Sequence, residues 1–332
     1  MSKSPRPALL LCAIVEVWLD ENMLRRGYVL FVSLCLFLSG NSSEASDSRC
    51  GELATIKVLQ NESVPAVPAH GVAAGATQDR FPLTIVSLNL ADEENTDRIL
   101  ADFGKIEKVR EADIFLFQQV GRADEGKDFA LSTVAQRLGM HLVAIPTREQ
   151  EKEDQGNNLR LPGLASLSRY PFRNPQVIPM KHFDLRFNHR CRVALAVTVD
   201  TPRGPIRVYN LHLDTRINEK ERLEQLESVL ESAADFQGPV IIGGDFNTAN
   251  VWWFERMWPV PGIQDQEESV RTRLASQGFY TPFESASPTF KWLFFSFQLD
   301  WIFLSHNLKT ADRGVEEVDF SDHRLLWVTI ES

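Results

Sequence analysis

The chain has few cysteines, and none of them has the spacing of a zinc or redox motif. Its 332 residues include four, at Cys12, Cys35, Cys50 and Cys191, with no Cys-x-x-Cys pair. This spacing argues against a zinc ribbon and a thioredoxin-like site. If an N-terminal leader is removed, Cys50 and Cys191 remain, and an oxidising compartment could join them.

Positive charge is scarce relative to negative charge. The chain has 35 Lys and Arg against 45 Asp and Glu, a formal net charge of -10. This balance argues against a protein that coats nucleic acid, because phosphate affinity rests largely on basic side chains. The stretch from Arg160 to Arg192 is different, since Asp184 is its only carboxylate among seven Lys and Arg residues. It forms either a solvated face or the rim of an anionic-substrate site, with Arg190 as a candidate ligand.

The N-terminal apolar run is short for a membrane span. Arg25 and Arg26 precede an apolar stretch from Tyr28 to Leu38 and then small polar residues, which is the order of a secretory signal. We expect residues 1–46 to be a leader, with Met23 as the true start, and the protein to be secreted or periplasmic. An uncleaved membrane tether is the alternative. Residues 47–80 predict a flexible linker rich in Pro, Ala and Gly, and the domain covers 81–332.

Hydrophobic patterning predicts an α/β domain. Strands are expected at 83–90, 113–120 and 141–145, with helices over 99–109 and up to Gly139. The runs 193–199 and 206–213, separated by Thr-Pro-Arg-Gly, predict a hairpin. A charged helix at 219–233 is followed by strands at 240–242, 299–304 and 325–330. This order favours two mixed sheets packed face to face with helices outside, and it leaves the strand order open.

Polar side chains gather at the ends of these strands. Asn210 and His212 share one face of their strand by alternation, and Asp245 follows two glycines. Any one of these motifs could be a simple Asx turn. However, Asp300 and Asp322 also interrupt or open apolar strands. An isolated buried charge costs several kcal/mol, so the repeated pattern favours a shared site.

Seven motifs, in order, resemble those of the endonuclease/exonuclease/phosphatase superfamily, which includes DNase I-like nucleases, abasic-site endonucleases, neutral sphingomyelinases and inositol phosphatases. The resemblance implies a DNase I-like four-layer α/β sandwich of two mixed β-sheets. The motifs are Ser87-Leu-Asn89-Leu, Phe117-Gln-Gln119-Val, Gly163-Leu-Ala-Ser-Leu-Ser-Arg169, Tyr209-Asn-Leu-His212-Leu, Gly243-Gly-Asp-Phe-Asn247, Leu299-Asp-Trp-Ile-Phe303 and Ser321-Asp-His323-Arg.

The same resemblance implies a catalytic role for five residues. Asp245 would accept the proton of the attacking water, and Asn247 would orient that water or a phosphoryl oxygen. His323 would contact the scissile phosphate and be held by Asp300. His212 would act from the other side as an acid or phosphate ligand. The implied activity is hydrolysis of phosphoesters, mainly phosphodiesters.

The implied metal site contains Asn89, Gln119 and Asp322, with Mg2+ or Mn2+ as the cofactor. Asn210 and Arg190 are the candidate substrate ligands. Gln119 departs from the family pattern, which has a glutamate at this position. Losing that charge weakens the attraction for a cation by several kcal/mol at an effective dielectric near 20. Three explanations stay open: a replacement acid among Asp92, Asp124 and Glu125, a loosely held metal, or a domain that binds phosphorylated ligands without turnover.

Two aromatic clusters bear on the substrate. Trp252–Phe254 follows the Asp245 motif and Trp292–Phe297 precedes Asp300, so either could stack bases or contact lipid at the site mouth, or simply pack in the core. The expected partner is a nucleic acid or a small organic phosphodiester, and the alternative is a membrane phospholipid such as sphingomyelin. No obligate protein partner is evident from the sequence.

Overall fold

The computed structural model describes residues 58–60, 82–121, 129–150, 159–161, 163–183, 191–284, 287–292 and 295–331. The chain separates into two units, 1–45 and 46–332, and all the described residues belong to the second. The predicted leader and most of the predicted linker lie outside the described residues. In the described ranges, no helix has the length and apolar character needed to cross a membrane.

The described part of the domain contains five helices and nineteen strands. The helices are α1 Thr96–Lys105, α2 Glu107–Arg110, α3 Ala130–Leu138, α4 Glu219–Ala234 and α5 Gln266–Ala275. The strands are β1 Leu59–Gln60, β2 Leu83–Asn89, β3 Ile114–Val120, β4 His141–Ile145, β5 Arg148–Gln150, β6 Leu159–Leu161, β7 Gly163–Ser168, β8 Phe172–Pro179, β9 Val193–Thr201, β10 Gly204–His212, β11 Val240–Asp245, β12 Val251–Phe254, β13 Trp258–Pro261, β14 Phe279–Tyr280, β15 Phe290–Trp292, β16 Phe295–Phe297, β17 Asp300–Ser305, β18 Lys309–Glu316 and β19 Leu325–Glu331.

Most of these strands form two mixed sheets. The first has the order β1-β4-β7-β3-β2-β19-β18, and the second has the order β14-β17-β11-β10-β9-β8. Only the pairs β2–β3 and β10–β11 are parallel within them. The predicted hairpin is confirmed, since β9 and β10 pair antiparallel across the turn. Strand β2 is buried along its whole length, which explains its nearly continuous apolar sequence.

The two sheets pack face to face, and helices cover their outer faces. One core cluster fills the space between the sheets and continues to Leu226 of α4 and Leu274 of α5. A second cluster lies between the first sheet and the helices that carry Ile99, Phe103 and Val134. The predicted four-layer α/β sandwich is therefore confirmed.

Local sequence signals set the limits of the helices. The side chain of Asn95 caps α1, and Asn218 and Glu221 form a capping box at the start of α4. Helix α3 ends at Gly139, which adopts a left-handed conformation. These signals explain why the predicted helix limits at Gly139 and at residue 219 agree with the structure.

The aromatic clusters form small hairpins that the patterning did not predict. Trp252–Phe254 belongs to the β12–β13 pair, and the second cluster belongs to the β15–β16 pair. Edge strands β8 and β18 were also missed, because their partly exposed, polar sequences lack apolar alternation. Backbone pairing at sheet edges, rather than side-chain burial, defines these strands.

Candidate active site

Three neighbouring strands of the second sheet, β10, β11 and β17, carry ionisable side chains where they end or begin on one side of the sheet. The parallel pairing of β10 with β11 sets His212 opposite Asp245. The antiparallel pairing of β11 with β17 sets Asp245 opposite Asp300. Neighbouring strands lie about 4.8 Å apart, so these buried residues form one row. Two carboxylates and an imidazole are thus brought together by strand order.

Two glycines allow β11 to carry Asp245 into this row. Gly244 has φ 139°, and a Cβ there would lie 2.0 Å from the carbonyl oxygen of Leu211. A Cβ on Gly243 would lie 2.7 Å from Leu116 Cδ1 across the sandwich. A side chain at Gly244 would therefore force β10 and β11 apart and move Asp245.

Asp245 is the central residue of the row. Its Oδ2 accepts a hydrogen bond from Asn89 Nδ2 at 3.0 Å and lies 3.4 Å from His212 Nε2 and 3.9 Å from His323 Nε2. Its Oδ1 accepts a hydrogen bond from the backbone N–H of Asn247 at 2.9 Å. Because Asn89 ends β2, the site joins the two sheets.

The surroundings of Asp245 tune its basicity. Burial and the charge of Asp300 raise the pKa of Asp245 to about 6, although His323, the Asn89 hydrogen bond and the Asn247 backbone oppose the shift. A carboxyl group with this pKa is ionised at neutral pH and is a stronger base than an ordinary aspartate. These properties suit proton abstraction from water.

His323 and Asp300 form a hydrogen-bonded pair. His323 Nδ1 lies 2.7 Å from Asp300 Oδ2. Burial lowers the pKa of His323, but the charge of Asp300, this hydrogen bond and the charges of Asp245 and Asp322 raise it to about 9. His323 is therefore an imidazolium at neutral pH. With Nδ1–H donated to Asp300, its Nε2–H is the group that can approach an anion.

Backbone contacts hold both members of this pair. Ser321 Oγ donates to the carbonyl oxygen of Asn89 at 2.6 Å and accepts from the His323 N–H at 3.0 Å. Thr289 Oγ1 accepts hydrogen bonds from the N–H groups of Leu299 at 3.0 Å and Asp300 at 3.1 Å. These contacts fix where the last two motifs enter the site.

Asn247 lies just beyond the Asp245 strand in a left-handed conformation, with φ 52°. Asparagine tolerates this conformation better than most residues. Its Nδ2 donates to the carbonyl oxygen of Leu213 at 2.9 Å. In the described part of the chain its Oδ1 accepts no hydrogen bond, so this oxygen is available to a water or a ligand.

The three predicted metal ligands lie at one end of the first sheet. Asn89 pairs with Gln118 across β2 and β3, so Gln119 is one residue further along. Gln119 sits at a β-bulge with φ 49°, a strained conformation often found at functional sites. Asp322 is exposed and follows Ser321, which binds the Asn89 carbonyl. Asp322 supplies the only negative charge among the three.

A family model described as "Endonuclease/Exonuclease/phosphatase family" matches residues 88–323. The chain belongs to this family. Its members are hydrolases that act on phosphoester bonds, and they generally use divalent metals. The matched range contains every residue placed in the site above. A comparison with curated proteins finds no match.

Solved structures of the family share the fold. The endonuclease/exonuclease/phosphatase from Beutenbergia cavernae matches with a TM-score of 0.58 and 19% identity over 76% of this chain and 72% of that one. The Bacteroides vulgatus protein of the same description matches at 0.55 and 14% over 76% and 99%. The human nocturnin catalytic domain, solved with a bound sulfate anion, matches at 0.52 and 18% over 75% and 93%.

Asp245, Asp300 and His323 are themselves close enough together to hold a metal ion. We consider this arrangement unfavourable, because Asp300 already accepts a hydrogen bond from His323 Nδ1–H and the raised pKa of His323 keeps its ring protonated. An imidazolium has no lone pair for a cation. The predicted ligands Asn89, Gln119 and Asp322 offer side-chain oxygens, which are the atoms that a hard divalent ion prefers.

Asn210 does not lie where a substrate ligand should. Its Oδ1 accepts from Gln118 Nε2 at 2.8 Å, and its Nδ2 donates to the carbonyl oxygens of Phe117 at 3.0 Å and Ala165 at 2.8 Å. It is fully buried between the sheets. The prediction of substrate contact is therefore wrong. Asn210 lies on the same face of β10 as His212, but at Asn210 this face is still covered by the first sheet.

Asp92 is the candidate replacement acid that lies within the described residues. The backbone N–H of Asp92 donates to the carbonyl oxygen of Gln119 at 3.1 Å, so the Asp92 backbone lies beside the bulge. This places one of the three candidate replacement acids near the predicted metal ligands. Asp124, Glu125 and Arg190 lie outside the described residues.

The helix behind the site holds functional candidates that the patterning missed. Arg222 and Gln225 of α4 are both fully buried, although the helical periodicity predicts only apolar Leu, Val and Ala residues on the buried face. The available signal was their spacing, since residues three apart share a helix face with the buried Leu226 and Val229. Polar residues within an apolar stripe indicate a specific buried hydrogen-bond network.

Proposed function

We propose that this protein is an exported phosphodiesterase that uses Mg2+ or Mn2+. The observation that carries the proposal is the position of Asp245, a buried carboxylate within 4 Å of Asn89, His212 and His323. Its basicity is raised, and an imidazolium supported by Asp300 faces it. This combination provides a base for water and a cationic donor for the phosphate.

Each residue of the site has a role in hydrolysis that follows from its charge and hydrogen-bonding groups. Asp245 accepts a proton from the attacking water, and Asn247 Oδ1 orients that water. His323 donates its Nε2–H to a phosphoryl oxygen, while Asp300 keeps the ring oriented and charged. His212, on the other side of Asp245, donates to the phosphate or to the leaving oxygen.

Asn89, Gln119 and Asp322 would hold the metal. A divalent ion bound there would neutralise charge on the phosphoryl oxygens. The amide oxygen of Gln119 accepts no hydrogen bond from the described residues and can serve as a neutral ligand. A set with one carboxylate is expected to bind the ion weakly.

We favour a nucleic acid or a small organic phosphodiester as the substrate. The anion bound by nocturnin, a sulfate, is consistent with a phosphate-sized site in this fold. A phospholipid is the second candidate, because Trp258 and Ile263, exposed by 46% and 60%, lie on or just after the β12–β13 hairpin that follows the Asp245 strand. Aromatic and aliphatic side chains of this kind insert at a membrane interface.

Export rests on the leader-like N-terminus, and a disulfide supports it. Cys191 is buried and disulfide-bonded, with its partner outside the described residues. Structural disulfides persist mainly in oxidising compartments. A periplasmic or extracellular location agrees with both observations.

A substrate panel tests the proposal. The purified protein should hydrolyse plasmid DNA or a generic aryl phosphodiester with Mg2+ or Mn2+ and lose this activity with a chelator. Turnover confined to sphingomyelin vesicles would favour the phospholipid candidate. Turnover no greater than that of Asp245→Asn on every substrate would contradict an enzyme and favour phosphate-ligand binding.

The pH profile follows from two groups. Asp245 must be ionised, so kcat/KM should rise as pH passes about 6. His323 must be protonated, so kcat/KM should fall above pH about 9. The expected curve is a bell measured at fixed metal concentration. His323→Gln should remove the basic limb and keep the acidic one. A basic limb that persists unchanged in His323→Gln would contradict the assignment.

A further inference from the structure

Arg222 is a fully buried cation directly behind the site. Its Nη1 donates to the carbonyl oxygens of Asp214 at 2.9 Å and Phe246 at 2.6 Å. Its Nη2 donates to the carbonyl oxygen of Ile217 at 3.2 Å, and its Nε donates to Gln266 Oε1 at 2.8 Å. One rigid guanidinium group thus binds three backbone carbonyl groups, in two segments of the chain, and α5.

Both segments directly follow catalytic candidates. Asp214 lies two residues after His212, and Phe246 follows Asp245. Strands β10 and β11 end at His212 and Asp245, and the hydrogen bond from the Leu213 N–H to the Asp245 carbonyl oxygen at 2.9 Å extends their backbone pairing by one residue. The Arg222 Nη1 group bridges the two segments just beyond that point.

Gln225, one helical turn after Arg222, reinforces the same attachment. Its Oε1 accepts from the Asp214 N–H at 2.9 Å, and its Nε2 donates to the Asp214 carboxylate at 2.9 Å. That carboxylate also accepts from Arg192 Nε at 2.7 Å. Both the N–H and the carbonyl oxygen of Asp214 are therefore bound by side chains from one face of α4.

Simple helix packing does not require this charge. Burial lowers the pKa of Arg222 to about 10, and Asp214 and Asp245 oppose the shift, so the group stays protonated at neutral pH. Apolar residues of similar volume often replace buried ion pairs without loss of stability. The directional contacts of Arg222 to carbonyl oxygens are what an apolar residue could not supply.

We propose that Arg222 is a positioning residue that fixes the separation of His212 and Asp245 by tying together the backbone after each of them. This rests on the proposed function of those two residues. It assigns Arg222 no contact with substrate. Displacement of a catalytic group by about 1 Å can lower the rate by about 100-fold, so the loss should appear in kcat more than in KM.

Arg207 provides a matched control. It is 5% exposed, lies near the start of β10, and donates to the carbonyl oxygen of Asn174 at 2.9 Å and to Thr198 Oγ1 at 3.1 Å. It pairs with Val240 at the opposite end of β11 from Asp245. Removing either arginine breaks buried hydrogen bonds, but only Arg222 contacts the segments at the site.

The test compares Arg222→Gln, Arg222→Lys and Arg207→Gln in the full protein. We expect kcat to fall about 30- to 100-fold in Arg222→Gln and about 10-fold in Arg222→Lys, with KM changed by less than about threefold. Arg207→Gln should keep kcat within about twofold, whatever its thermal midpoint. Should Arg222→Gln not fold, Arg222→Lys decides. Wild-type kcat in a folded Arg222 variant, or equal losses in both glutamine variants, would overturn the proposal.

A second measurement is independent of turnover. The ring nitrogen signals of His212, followed by NMR against pH, should shift in Arg222→Lys and stay at their wild-type positions in Arg207→Gln, because only the former changes the contact with Asp245. Absence of turnover in the wild-type protein would remove the proposed function and leave this comparison standing. An unchanged His212 titration in Arg222→Lys would remove the positioning role alone.

Discussion

Replacing Asp245 with asparagine should lower kcat by roughly 1,000- to 10,000-fold, because an amide keeps the shape of the side chain but cannot accept the proton of water. The measurement is steady-state turnover with saturating metal at a pH between the two limbs of the profile. Asp113→Asn is a suitable control. Asp113 is also a buried aspartate, and it accepts a hydrogen bond from the backbone N–H of Thr84 at 2.9 Å, at the opposite end of β2 from Asn89.

The same substitution should stabilise the fold at alkaline pH. The pKa of Asp245 is raised from 3.8 to about 6, so its favourable contribution is complete below pH 4 and lost as pH rises through 6. Above that pH the buried carboxylate costs about 1 to 3 kcal/mol. The asparagine side chain of the variant cannot ionise, and denaturant unfolding at pH 8 should show the gain. Full activity in Asp245→Asn, or loss of activity caused by unfolding, would contradict the assigned role.

Replacing Gln119 with glutamate should tighten divalent metal binding by roughly 100-fold or more. A second carboxylate beside a divalent ion adds several kcal/mol of attraction at an effective dielectric near 20. Glutamate and glutamine have the same shape, so the bulge at φ 49° should be kept. Calorimetric titration with Mg2+ and Mn2+ measures the affinity directly, without reference to turnover.

A control separates this local effect from net charge. Gln136→Glu on the exposed face of α3 adds the same charge to the protein, and we expect it to leave the metal affinity within about twofold. Equal affinity of wild type and Gln119→Glu would show that residue 119 is not a metal ligand. If turnover appears only in Gln119→Glu, the natural chain is a binding protein.

Local patterning predicted many of the elements that carry the site. Apolar runs and helical spacing predicted β2, β4, α4 and the β9–β10 hairpin, since each depends on residues close in the chain. The polar residues at strand ends were recognised by the same logic, because an ionisable group in an apolar run is costly unless it has a partner. Edge strands and the small aromatic hairpins were missed, since backbone pairing defines them.

Side-chain alternation was correct for Asn210 and His212 but insufficient for their roles. Both residues face the interior of the sandwich. Asn210 makes a buried contact with the first sheet, whereas His212, two residues later, lies beside Asp245 in the site. Where the core ends depends on the first sheet, whose Gln118 binds Asn210 and whose Asn89 binds Asp245. The sequence of β10 alone therefore cannot show where the core ends and the site begins.

The sequence by itself determined the family, the sandwich of two sheets and the residue types available for phosphoester chemistry, because these depend on local periodicity and on ordered motifs. Only the tertiary structure decided that β11 lies between β10 and β17, which joins His212, Asp245 and Asp300 in one row. It also revealed Arg222 beneath that row. Shared burial then sets the pKa values of Asp245 and His323, and burial is a property of the packed sheets rather than of any segment.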